Sequence, residues 1–108
     1  MSVRKTYAPE IIDGAEIHRI VKDGEMFSKG SLFARVCLAK DEGVDWHTHI
    51  GEAEYYYILK GQGVFTDTDG SEHTVEAGDV CTIKPGQSHA IRNEHAETLE
   101  FIALILYG

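Results

Sequence analysis

Apolar residues in this chain recur with a period of two, and turn residues interrupt them at intervals of roughly eight to twelve positions. No long stretch repeats at 3.6, so the pattern predicts an all-β barrel or sandwich with very little helix. Asp13-Gly14, Asp23-Gly24, Lys29-Gly30, Asp41-Glu42-Gly43, Gly61-Gln62-Gly63, Asp69-Gly70, Ala77-Gly78-Asp79 and Pro85-Gly86 supply the breaks. Between them, residues 3–7 read as a short arm and Glu16 to Val21 as a first strand. LFARVCLA reads as a buried strand, and residues 54–60 as another. Val64 to Thr68 and Glu72 to Val75 form a predicted hairpin whose Asp69-Gly70 turn takes a positive φ. VCTI, then His89 to Asn93, then LEFIALILY complete the set. The last is apolar on both faces, so the barrel interior should cover one side and something else the other. A second copy of the chain is the expected cover, which makes the protein a homodimer; the alternative is that the amino-terminal arm lies over its own strand.

With 108 residues the chain fits one domain with a core large enough to fold without disulfides. Residues 1–29 are read as an arm and first strands, and residues 30–108 as the barrel. The formal charge is −8, and the ten basic residues are scattered apart from Arg4-Lys5, so there is no footprint for a nucleic-acid backbone. No apolar run approaches the ~20 residues that span a bilayer. MSVRKTYAPE lacks the apolar centre of a signal peptide, and a cytoplasmic location is expected. Cys37 and Cys81 sit inside separate strand-like runs and read as buried thiols.

The chemistry concentrates in GVDWHTHIGEAEYYYILKG, residues 43–61. His47 and His49 are one residue apart, so in extended chain both imidazoles leave the same face. Two aligned imidazoles are half of a metal site. Residues 50–53, with Gly51, allow a connection that returns Glu54 toward the same cavity, and Pro85-Gly86 turns the chain just before a fourth donor, His89. Glu52 shares the strand face of Glu54 and competes with it; otherwise it is a solvated carboxylate or an acceptor that orients an imidazole. Three imidazoles and one carboxylate suit a divalent first-row metal and, without thiolates, do not look like a closed structural zinc site.

These residues resemble the cupin superfamily of small β-barrels, in particular single-domain members similar to one half of oxalate decarboxylase. The first cupin motif, HxHxxxxE followed by six residues and Gly, is met by His47, His49, Glu54 and Gly61. The second is met by Gly78, Gly86, His89 and Asn93. Lys84 stands where the family usually has a proline, and Gly43 lies four rather than six residues before His47. Neither departure touches a ligand position. Over roughly residues 30–107, the resemblance implies a cupin double-stranded β-helix, a jelly-roll barrel. It also implies one divalent transition metal per chain on His47, His49, Glu54 and His89. Manganese or iron is favoured, with zinc, nickel, cobalt or copper as alternatives. A metalloenzyme acting on a small anionic or oxygenated substrate, decarboxylase- or dioxygenase-like, is the expected function. A non-catalytic ligand-binding or sensor module is the alternative, and fold and ligands together do not choose a reaction.

Several neighbours have weaker signals. His18, His73 and His95 lack ligand spacing and read as surface or hydrogen-bonded histidines, with the alternative for His73, which alternates with Val75, that it faces inward. Tyr56 shares the parity of Glu54 and is expected to line the cavity, while Tyr55 and Tyr57 pack on the other face. Arg35, mid-strand, needs a partner: a carboxylate at an edge or dimer contact, or the carboxylate of a substrate.

Overall fold

The computed structural model describes residues 3–108. Among them the chain forms ten strands and a single turn of 3-10 helix, Asp23–Met26. The strands are β1 Glu10–Ile12, β2 Ala15–Arg19, β3 Gly30–Leu38, β4 Gly43–Thr48, β5 Glu52–Lys60, β6 Gln62–Thr66, β7 Glu72–Glu76, β8 Val80–Ile83, β9 Ser88–Arg92 and β10 Leu99–Tyr107. One sheet has the order β1-β2-β3-β10-β5-β8 and the other β4-β9-β6-β7. All their pairings are antiparallel. From β3 onward the chain passes repeatedly between the sheets, which is the winding of a jelly-roll barrel. That winding sets β4 and β9 side by side in the smaller sheet and aims β5 at them from the larger one.

The period of two explains the core. On β5, Glu54, Tyr56 and Ile58 are buried while Tyr55, Tyr57 and Leu59 are exposed. Leu38, Ile58, Leu99 and Phe101 from the larger sheet meet Phe65, Val75 and Ile91 from the smaller. Each large side chain buried there stabilises the fold by about 2 kcal/mol relative to exposure. Asn93 closes one end of this core. Its Nδ2 donates to Leu38 O at 2.9 Å and Glu97 O at 2.8 Å, and its Oδ1 accepts from His95 N at 2.9 Å.

Some expectations need correction. β2 stops at Arg19 instead of Val21, because the backbone bends so that both Ile20 N and Val21 N approach Phe33 O. A short strand, β1, precedes it and pairs with it. His73 keeps its surface, hydrogen-bonded reading: it is exposed, and its Nε2 lies 2.9 Å from Ser71 Oγ. Tyr55 and Tyr57 are 38% and 49% exposed, so they do not pack within this chain. The arm is tied by Tyr7 N to Arg19 O on β2, two strands from β10, and on the outer face of β10 Ile102 and Leu104 remain half-buried. Arg35 pairs across the sheet with Glu100 at 3.4 Å, the structural role of the two weighed. Cys37 and Cys81 are free and buried. Among the described residues, no helix is long and apolar enough to cross a membrane.

Candidate metal centre

The geometry begins with a bulge in β4. Val44 lies opposite Ile91 and His47 opposite His89, so three steps on β4 match two on β9. The extra residue lets Val44 and His47 both face inward despite their odd spacing, and it re-aims the chain next to the site. It also turns the Asp45 carbonyl toward His47, whose Nδ1–H donates to it at 2.8 Å. His49 lies just past the end of β4. Its backbone is clamped to the Pro85-Gly86 turn, with Gly86 N donating to His49 O at 2.6 Å and His49 N donating to Gln87 O at 3.1 Å. Gly86 has φ +87, a conformation that glycine adopts without strain. The turn that precedes His89 is thereby locked to His49.

The structure brings His47, His49, Glu54 and His89 together, with one donor atom from each within 4.8 Å of all the others. His49 Nε2 lies 3.0 Å from His89 Nε2, which lies 3.1 Å from His47 Nε2. Glu54 Oε1 is 2.9 Å from both His49 Nε2 and His89 Nε2. Near as these two nitrogens are, Glu54 Oε1 is a buried oxygen without a hydrogen-bond partner. His49, Glu54 and His89 are buried, whereas His47 is half-exposed.

This donor set fits a divalent metal on three counts. First, Nδ1 of His47 and of His49 is committed as a donor, to Asp45 O and to Glu52 Oε1 at 2.8 Å, which leaves the Nε2 lone pairs directed at the common centre. Second, burial pushes the His89 pKa below the ordinary imidazole range, with Glu54 opposing, so its ring is neutral and able to ligate at neutral pH. Third, metal–donor bonds of about 2.1 Å at right angles separate donors by ~3.0 Å, and tetrahedral angles by ~3.4 Å. Four of the separations, 2.9–3.1 Å, match the former. Four donors at right angles leave room in a coordination shell for an added ligand, unlike a closed tetrahedral site.

Glu52 and Glu54 separate cleanly. Glu54 points into the imidazole cluster, and Glu52 accepts from the far side of His49. Tyr56 is buried against His89, with ring centroids 5.3 Å apart, and burial followed by the Glu54 charge raises its phenol well above its usual range. Its hydroxyl therefore stays protonated. The Asp45 carbonyl is a positioning group that the sequence does not announce, because a backbone acceptor has no residue signature; the odd spacing of two inward residues, Val44 and His47, is its only trace. A second group, Glu16, His18 and Cys37, lies on the β2–β3 pair. It belongs to a surface network in which Arg35 Nη1 donates to Cys37 Sγ at 3.1 Å and His18 Nε2 approaches Glu16 Oε1 at 3.2 Å.

Comparison with known proteins agrees with this fold. A cupin-domain family model, Cupin_2, matches residues 34–105. The chain is 43% identical over 91 residues to an oxalate-binding protein of Thermotoga maritima, covering 84% of this chain and 74% of that one. It superposes on a crystal structure of a predicted oxalate decarboxylase from Thermotoga maritima with a TM-score of 0.91 and 39% identity, each chain covered in full. The plu4264 protein of Photorhabdus luminescens, at 16% identity and a TM-score of 0.80 over 98% of this chain and 88% of that one, shares the fold alone.

Proposed function

The chain belongs to the cupin family, and from that premise we propose that it is a metalloprotein in which His47, His49, Glu54 and His89 hold one divalent first-row metal, manganese or iron by preference, that binds a small oxygen-rich anion. The observation that supports this most is the buried, partnerless Glu54 Oε1 among three converging imidazole nitrogens. An anionic oxygen and neutral nitrogens left in that arrangement are costly unless a cation shares them. The bound metal would supply Lewis acidity, or redox chemistry if it is iron or manganese. The chain's own groups orient it: Asp45 O and Glu52 fix two imidazoles, and Tyr56 and His89 form a dry wall. A relative named for oxalate binding supports a small oxygen acid, chelating through a carboxylate, as ligand.

Binding and turnover are both compatible with such a site, and one feature favours binding. Glu52 is committed to His49, Glu54 to the cluster, and the Tyr56 hydroxyl does not ionise, so the acid–base groups described around the cluster are all engaged. Decarboxylase- or dioxygenase-like turnover is the second reading, with the metal itself as the catalytic group. Calorimetric titration of oxalate into manganese-loaded and chelator-treated protein tests the first, which requires binding only with metal. Mass spectrometry of the same mixtures over hours tests the second. The half-exposed outer face of β10, with exposed Tyr55, Tyr57 and Val80 beside it, supports a homodimer as the working form. A cytoplasmic location is part of the same reading.

A further inference from the structure

A pocket of about 360 Å³ abuts His47 and lies in the seam between β1–β2 and β4. Ile12 and Ile17 form one side and Val44 and Trp46 the other, with Asp13 and Asp45 also in the wall. The wall has three features that bear on what enters it. His47 is the only half-exposed member of a ligand set whose other three are buried, and it is the member that lines the seam. Ile12 and Trp46 are 45% and 51% exposed in the chain as it stands, so apolar surface remains there to be covered by a ligand. The charged side chains lining the pocket are both carboxylates, with no lysine or arginine among them to receive a second anionic group.

The bulge that turns His47 inward includes Asp45 and Trp46, so the metal-facing imidazole and the aromatic wall are placed by the same distortion of β4. Oxalate, with two carboxylates and no apolar atoms, uses neither the apolar wall nor its volume. Resting on the metal-centre reading above, we infer that the ligand of this site is a monoanionic oxygen chelator carrying an uncharged aromatic or branched apolar arm. The chelating head sits at the metal beside His47, and the arm lies in the seam against Trp46, Ile12 and Ile17. Burial of apolar surface on both partners favours the arm, and the two aspartates disfavour a negative charge on that arm.

Glycolate and mandelate test this, because they share one bidentate α-hydroxycarboxylate head and differ only by a phenyl arm. Both are titrated into manganese-loaded protein, with metal content and manganese resonance measured on the same samples. Trp46 is the single tryptophan of the chain, so its emission reports occupancy of the seam directly. The inference predicts that mandelate binds at least tenfold more tightly than glycolate and perturbs Trp46 emission, and that glycolate leaves the emission unchanged. Trp46→Ala and, separately, Ile12→Ser should each reduce the mandelate-to-glycolate ratio severalfold, as read by calorimetry. Equal affinities in the unaltered protein overturn the inference, as does a ratio that both variants leave intact. Protein that retains no manganese overturns the metal-centre reading itself, and that result is separately visible in the metal analysis.

Discussion

Replacing Asn93 by alanine should unfold one end of the barrel preferentially, because a single side chain there satisfies three backbone groups and ties the end of β3 to the loop between β9 and β10. Its Nδ2 serves Leu38 O at the end of β3 and Glu97 O in the loop before β10, and its Oδ1 serves His95 N. Leu38 and Asn93 are both fully buried, so the Leu38 carbonyl has no water to turn to when the amide is removed. An orphaned buried carbonyl costs about 1–3 kcal/mol, and the two partly buried groups roughly 1 kcal/mol each, which gives a total of about 3–5 kcal/mol. That is a large share of the ~5–15 kcal/mol by which a domain of this size is stable. At roughly 4 °C per kcal/mol the midpoint should fall by ~12–20 °C. Urea unfolding followed by circular dichroism and Trp46 fluorescence measures the loss. Asn93→Asp should fare no better, since it keeps the bond from His95 N but sets carboxylate oxygens against two carbonyls. A loss below about 1 kcal/mol for Asn93→Ala would refute the reasoning and mean that the loops reclose without the amide.

Burial pushes the Cys81 thiol up to about 11, so native protein at pH 8 should react with iodoacetamide at this residue on the order of a hundredfold more slowly than unfolded protein does; equal rates would contradict the burial. His89 is held below the ordinary imidazole range, so the unfolded chain takes up a proton that the folded chain resists. The His89 contribution to stability of metal-free protein is therefore fully present above about pH 6.5 and lost as pH falls below it, which urea midpoints at pH 7.5 and 5.5 measure. Sedimentation at micromolar concentration should give a dimer. Leu104→Lys on the outer face of β10 should shift it to monomer, and a monodisperse monomer of the unaltered chain would remove the homodimer.

Much of this was legible in the sequence because a strand's period is simple and a ligand's chemistry is restrictive. The His47-x-His49 spacing, the return of Glu54 and the Pro85-Gly86 turn before His89 each have one cheap geometric solution, and the four residues meet in the structure. The hairpin around Asp69-Gly70 follows from the same logic, with Gly70 at φ +85. What escaped depends on neighbours instead of pattern. Parity alone would place His73 inward beside Val75, and it is its edge strand, with Ser71 as partner, that keeps it at the surface. Tyr55 and Tyr57 are aromatic and were expected to pack, yet their face of the larger sheet has no cover within the chain. The bulge at Asp45-Trp46 violates alternation, so the hydrogen bond that holds His47 and the seam beside it become visible only when β4 is paired with β9.

Metal titration of the unaltered protein beside three variants tests the central claim most directly. Purified without chelator and analysed for metals, then stripped and titrated with Mn²⁺, the protein should bind one ion per chain. His89→Ala should abolish that binding. Glu54→Gln, which replaces an anionic donor by a neutral one, should weaken it more than Glu52→Gln, which only exchanges the charged acceptor that orients His49 for a neutral one and should cost on the order of tenfold. Greater damage from Glu52→Gln would contradict the carboxylate assignment, and an ion count or affinity that none of the three substitutions changes would contradict the site.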